Sequence, residues 1–219
     1  MTAESVTPRL VAALDRTWTA IRARHPDVPE VVITLGAGTM GSGPAKLGHF
    51  AAGRWQRGPA EELPEMFVAG EGLSRGAADV LATLLHEGAH GAASARKVQD
   101  TSRQGRWHNA RYRAIAAELG LDVAQAPGIG WSDTTVPPAT AARYAAELAD
   151  LAAALTAWRH PEHRGGGRAS SNNGVSARCP CGRRIRVAES VLDDGPITCG
   201  LCGGNFQDTP TEERHEPAG

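Results

Sequence analysis

The sequence predicts an α+β fold: a short, mainly antiparallel sheet packed on one long helix, with flanking helices and a small cysteine module behind a linker. Three observations lead there. Short β-branched runs alternate with turn residues in the first 70 positions. Long stretches with apolar residues three and four apart follow them. All four cysteines fall between Cys179 and Cys202, after a segment rich in Gly, Ser and Asn.

The elements follow in order. A helix is expected from about Thr7 to Arg24, with Thr7 as its cap, Pro8 in its first turn, and Leu10, Leu14, Trp18 and Ile21 on one face. His25-Pro26 ends it. Val31 to Leu35 reads as a strand, and Leu47 to Trp55 and Glu65 to Ala69 as two weaker ones. Ser74 is expected to cap a helix running to Ala95, and a further helix spans Gln104 to Leu119. Residues 121–138, with five Gly or Pro, read as irregular. The last long helix, Thr140 to Arg159, aligns Tyr144, Leu148, Leu151, Leu155 and Trp158. The domain plan is therefore residues 1–160, a linker over 161–176, a cysteine module over 177–207 and a disordered acidic tail over 208–219.

Composition sets outer limits. The chain has 219 residues, 41% hydrophobic, enough for one core and an appendage. No apolar run reaches the roughly 20 residues of a membrane helix. Residues 1–7 lack the basic start and apolar centre of a secretory signal, so a cytoplasmic protein is expected. A net charge of -1 gives no global attraction to nucleic acid.

His86-Glu87-Gly88-Ala89-His90 is an HExxH pattern in a helical stretch. Residues four apart share a helical face, so His86 and His90 can grip one ion. Glu87 sits beside them as the catalytic base for a water that zinc has acidified. A catalytic zinc needs a third protein ligand and an open position. His108 is favoured, because it aligns with Tyr112, Ile115 and Leu119; Glu118 is the rival and Asp100 the third choice. Tyr112 or Arg111 are candidates for stabilising the developing oxyanion.

These residues, followed by Asp100 to His108 and a helix ending Leu119-Gly120-Leu121, resemble the SprT-like metallopeptidases, whose bacterial members also carry a C-terminal zinc ribbon. The resemblance covers about residues 18–121 and the ribbon. It implies a zincin-like domain, three histidine ligands (here His86, His90 and His108), Glu87 as acid/base, and, by analogy with Spartan-type relatives, substrates crosslinked to DNA. The third histidine here follows Gly105-Arg106-Trp107, and the first cysteine pair is C-x-C, both departures from the family pattern.

Cys179-Pro180-Cys181-Gly182 and Cys199-Gly200-Leu201-Cys202-Gly203 read as two zinc knuckles, whose four thiolates close a structural site. A module this small depends on its metal for stability. Arg183, Arg184 and Arg186 crowd it and are candidate nucleic-acid contacts. Gly36-Ala37-Gly38-Thr39-Met40-Gly41 matches G-x-G-x-x-G, yet the residues that follow are poor helix material. No nucleotide cofactor is expected.

The sequence therefore points to a zinc-dependent endopeptidase with one catalytic and one structural Zn2+, a protein substrate, DNA as a candidate partner and no membrane. The alternatives are a repressor-cleaving regulatory HExxH protease, or a non-catalytic nucleic-acid-binding adaptor with two structural zinc sites.

Overall fold

The computed structural model describes residues 5–38, 46–161 and 174–208. Contacts divide the chain into two units, Met1–Glu162 and His163–Gly219. The expected linker lies mostly outside the described residues, as does the acidic tail beyond Asp208. The chain is already extended at Val175, two residues before the expected start of the cysteine module.

The first unit opens with helix α1, Val6–Arg24, which buries Leu10, Ala13, Leu14, Trp18 and Ile21. Its apolar residues recur at helical spacing, so one face enters the core. Ser5, not Thr7, stands at its N-cap, and its side chain makes no capping bond. Trp18 donates its indole N–H to the Pro29 carbonyl at 3.0 Å, which ties the helix to the approach of the first strand.

Three strands form the first sheet: β1 (Val32–Gly36), β2 (Gly48–Arg57) and β3 (Glu61–Ala69), in the order β1-β3-β2. β2 and β3 are an antiparallel hairpin, and β1 joins β3 in parallel. The sheet is thus mixed, with β2 as an outer strand. Helix α2, Ala77–Ala95, crosses the unit and buries Leu81, Leu84, Leu85, Ala89 and Ala92 completely. Ser74 does not cap it. That residue lies in a preceding 3-10 turn, where its hydroxyl donates to the Glu71 carbonyl, and Gly76 holds the N-cap.

The region read as one helix from Gln104 divides. Thr101–Ser102 (β4) and Trp107–His108 (β5) form a tiny hairpin, and helix α3 runs only over Ala110–Glu118. Asn109 starts it, its side-chain oxygen accepting the N–H groups of Arg111 and Tyr112 at 2.8 and 3.2 Å. Residues 121–138 are not irregular. Asp122–Ala126 (β6) and Gly130–Thr135 (β7) pair as a hairpin around Pro127-Gly128, completing a second sheet of order β4-β5-β7-β6. The long C-terminal helix is broken into α4 (Pro138–Arg143) and α5 (Ala145–Ala154) at Tyr144, whose φ of -110° leaves the helical region. Tyr144 and Leu151 are buried as expected, whereas Trp158 lies beyond the helix and is 54% exposed.

The second unit has strands β8 (Val175–Arg178), β9 (Arg184–Val187) and β10 (Gln207–Asp208), all antiparallel in the order β10-β8-β9, with a short helix α6 (Glu189–Asp193). Its core is Ala177, Cys179, Cys199 and Phe206, with Ile185, Val187, Leu192 and Ile197 packed around them. So few buried side chains make a marginal core, which a metal would reinforce. No helix among the described residues is long and apolar enough to cross a membrane.

Candidate metal centres

His86 and His90 lie one turn apart on α2, and their ring centroids are 5.2 Å apart. His108 meets them from β5, at 5.1 Å from the His86 ring and 5.0 Å from the His90 ring. It stands just ahead of the α3 cap, not on the helix where its apolar alignment was expected. The structure nevertheless brings all three imidazoles together, with a ligand nitrogen of each within 4.8 Å of the others.

Each ring is fixed through Nδ1. That of His86 lies 3.2 Å from Thr134 Oγ1, that of His90 2.5 Å from Asp100 Oδ2, and that of His108 3.1 Å from the Ile129 carbonyl. With Nδ1 engaged, Nε2 is the atom left to bind a metal. The His90 and His108 Nε2 atoms face each other at 3.1 Å. Nitrogens bound at 2.0–2.1 Å to a tetrahedral ion stand roughly 3.3 Å apart. The donor set therefore fits a metal ion. Burial, reinforced by the neighbouring His90 and His108, holds His86 well below its ordinary pKa, and burial together with His90 lowers His108. Both stay neutral, as ligation requires. Burial also disfavours protonation of His90, but the Asp100 hydrogen bond and the charges of Glu87 and Asp100 outweigh it and raise the His90 pKa.

Glu87 is only 6% exposed. Its carboxylate takes a hydrogen bond from the Phe50 backbone N–H on β2, and burial lifts its pKa above the ordinary value. The approach to β2 depends on Gly48, since a β-carbon there would stand 3.2 Å from Glu87 Oε1 and 2.8 Å from the Thr83 methyl. A carboxylate so placed can take up and release a proton near neutral pH.

An open cleft of about 740 Å³ lies over these groups. The first sheet contributes a wall through Lys46 to Phe50, and the second contributes Ile129 and residues 132–134. Tyr112 and Arg111 do not line it. Tyr112 is fully buried beneath the histidines, its ring 4.6–5.0 Å from all three, and its hydroxyl is directed at the His86 carbonyl. The expectation that either group would face an oxyanion is corrected accordingly. Glu118 is not at the site either. It is exposed, and it pairs with Arg96 Nη1 at 2.6 Å. Asp100 is present as the partner of a ligand. Thr134 and the Ile129 carbonyl were missed, because they lie in the hairpin read as irregular.

The four cysteines of the second unit also converge, with sulfurs 3.1 Å apart for Cys179 and Cys202, 3.5 Å for Cys179 and Cys181, and 3.8 Å for Cys181 and Cys199. All four are free thiols. A tetrahedral ion bound at about 2.3 Å would hold them roughly 3.8 Å apart, so this set fits a metal too. The backbone N–H groups of Leu201 and Cys202 lower Cys199 to about 6, which favours the thiolate.

The ribbon arginines divide by position. Arg183 points its guanidinium at the Cys199 sulfur, 3.7 Å away. Arg184 and Arg186 stand opposite Arg178 and Ser176 across the β8–β9 ladder. Residues directly opposed, and those two apart, share a face, so Arg178, Arg184 and Arg186 form one basic surface that Arg183 does not join. The glycine-rich stretch 36–41 falls partly outside the described residues. Gly36 ends β1, and the described chain resumes at Lys46 and leads into β2.

No family model, curated protein or solved structure matches this chain significantly, so its functional reading stands on the residues these two centres bring together.

Proposed function

We propose that the chain is a zinc-dependent endopeptidase of the SprT-like type, built on a zincin-like domain with a zinc ribbon beside it. The observation that carries this reading is the conjunction of three Nδ1-anchored histidines with one buried glutamate at the floor of a cleft. Among the described residues the histidine group has three members, which leaves a position open, as catalysis requires. That count also argues against an adaptor with two closed structural sites.

His86, His90 and His108 would hold the zinc ion, and Cys179, Cys181, Cys199 and Cys202 a second, structural one. Bound by three histidines, zinc supplies Lewis-acid chemistry, acidifying water and polarising a peptide carbonyl. Glu87 takes the proton from the attacking water and returns it to the leaving amine. Its raised pKa suits both halves of that task. The Phe50 N–H holds the carboxylate in place. β2, as an outer strand, offers unpaired main-chain groups to which an extended peptide can add.

Direction to DNA-bound protein is supported by the Arg178, Arg184 and Arg186 surface, which suits phosphate. A repressor-cleaving protease would use the same metal site on a different substrate. The test is hydrolysis of casein, an unstructured protein, abolished by a chelator and recovered with zinc. Failure of zinc to support any cleavage would overturn the reading.

A further inference from the structure

The four-residue loop between β4 and β5 holds three successive residues in the left-handed region: Arg103 at φ 51°, Gln104 at φ 59° and Gly105 at φ 82°. Four-residue hairpin loops are usually built around a type I turn, which needs no such run. Residues with a β-carbon resist this conformation, and asparagine or glycine is the usual occupant. The remaining non-glycine residue of positive φ among the described residues, Lys97 at 55°, has a local cause. It follows the end of α2, and the Lys97 and Val98 N–H groups close back on Ser94 and Ala93 carbonyls. No helix end explains Gln104. Strained backbone tends to persist where a site needs it, and Gln104 and Gly105 both line the cleft over the histidines.

The two strained side chains have different surroundings. The Arg103 guanidinium stacks on the Trp107 ring, 4.5 Å from its centroid, and Arg103 is not among the cleft residues. The Gln104 Oε1 takes only a 3.3 Å hydrogen bond from Arg106 Nη2, and its amide nitrogen has no partner among the described residues. A carboxamide carries donors and an acceptor, the same complement that a peptide group presents.

We infer that Gln104 is a substrate-binding residue, whose carboxamide hydrogen-bonds the main chain of an extended peptide in the cleft. The outer edge of β2 would grip the peptide from one wall and the β4–β5 loop from the other. Contact with main chain makes the grip independent of the substrate's side chains. This rests on the peptidase reading and adds to it how the substrate is held.

Glycine suits φ near +59°, so Gln104→Gly keeps the loop while deleting the amide. It should retain its zinc and a Tm no lower than wild type, with KM for casein raised about three- to tenfold, as for one lost hydrogen bond, and kcat within twofold. Gln104→Asn, which keeps a carboxamide and tolerates the conformation, should recover most of that loss. Arg103→Gly changes the neighbouring strained position and should leave KM unchanged. A wild-type KM in Gln104→Gly, or a KM raised equally in Arg103→Gly, would overturn the inference. Binding of labelled casein in a Glu87→Gln background separates it from the parent reading. Binding weakened by Gln104→Gly in a protein that never cleaves would uphold Gln104 and overturn the peptidase.

Discussion

Asp100 Oδ2 lies 2.5 Å from Nδ1 of His90, so the residue ranked as a distant third ligand instead holds one of the ligands. The carboxylate fixes the ring and its tautomer and makes Nε2 a stronger donor to a metal. Asp100→Asn preserves shape and removes that charge. Zinc affinity, measured by competition with a chromophoric chelator, should fall about ten- to a hundredfold with the fold retained. Unchanged affinity would mean that Asp100 only fills space.

Gly130 sets the third ligand. Its φ is +76°, and a β-carbon there would fall 2.2 Å from the His108 carbonyl oxygen, which is rigid backbone. Gly130→Ala must therefore push β5 away from β7 and carry His108 with it. Histidine-site zinc should be lost or much weakened, as read by metal analysis, and Tm should fall. A substituted protein with full zinc would show that His108 does not depend on this junction.

His108→Ala should release the histidine-site metal while Glu118→Ala leaves it in place. Glu118 is exposed and pairs with Arg96, so its loss costs at most about 1 kcal/mol, as for other surface ion pairs. The reverse pattern would assign the site to a glutamate-completed class.

The sequence made the α2 pair, Glu87 and the four cysteines legible because each set is local: i and i+4 on a helix, or pairs within a knuckle. His108 was also found, but on the wrong element, since Asn109 starts the helix after it and no periodicity could reveal the β4–β5 hairpin. Residues 121–138 were misread because their alternation is nearly polar throughout; β6 exposes Asp122, Ala124 and Gln125, so no apolar stripe marks it. Thr134 and Ile129 went unseen with it. Those contacts span 48 and 21 residues of sequence and arise only from tertiary packing. Arg183 was grouped with its neighbours by adjacency, whereas the strand register separates them.

Glu87 should weaken the metal-free protein. Burial raises its pKa, so the folded state keeps the proton to higher pH than the unfolded chain, whose glutamate titrates near about 4.3. Wild-type stability then falls as pH rises from that value towards the raised one. Glu87→Gln has no such charge to bury. Metal-free Glu87→Gln should exceed metal-free wild type in denaturant midpoint at neutral pH, with the gap closing as pH drops to about 4. A gap independent of pH would show that Glu87 is not buried as a charge.

The most direct test of the peptidase reading is zinc content and casein cleavage measured together on wild type and Glu87→Gln. Glu87 is placed as a base and not a ligand, so the variant should hold wild-type zinc while its cleavage rate falls at least about a hundredfold, the lower scale for losing a positioned general base. Undiminished cleavage by a zinc-loaded Glu87→Gln protein would contradict the account.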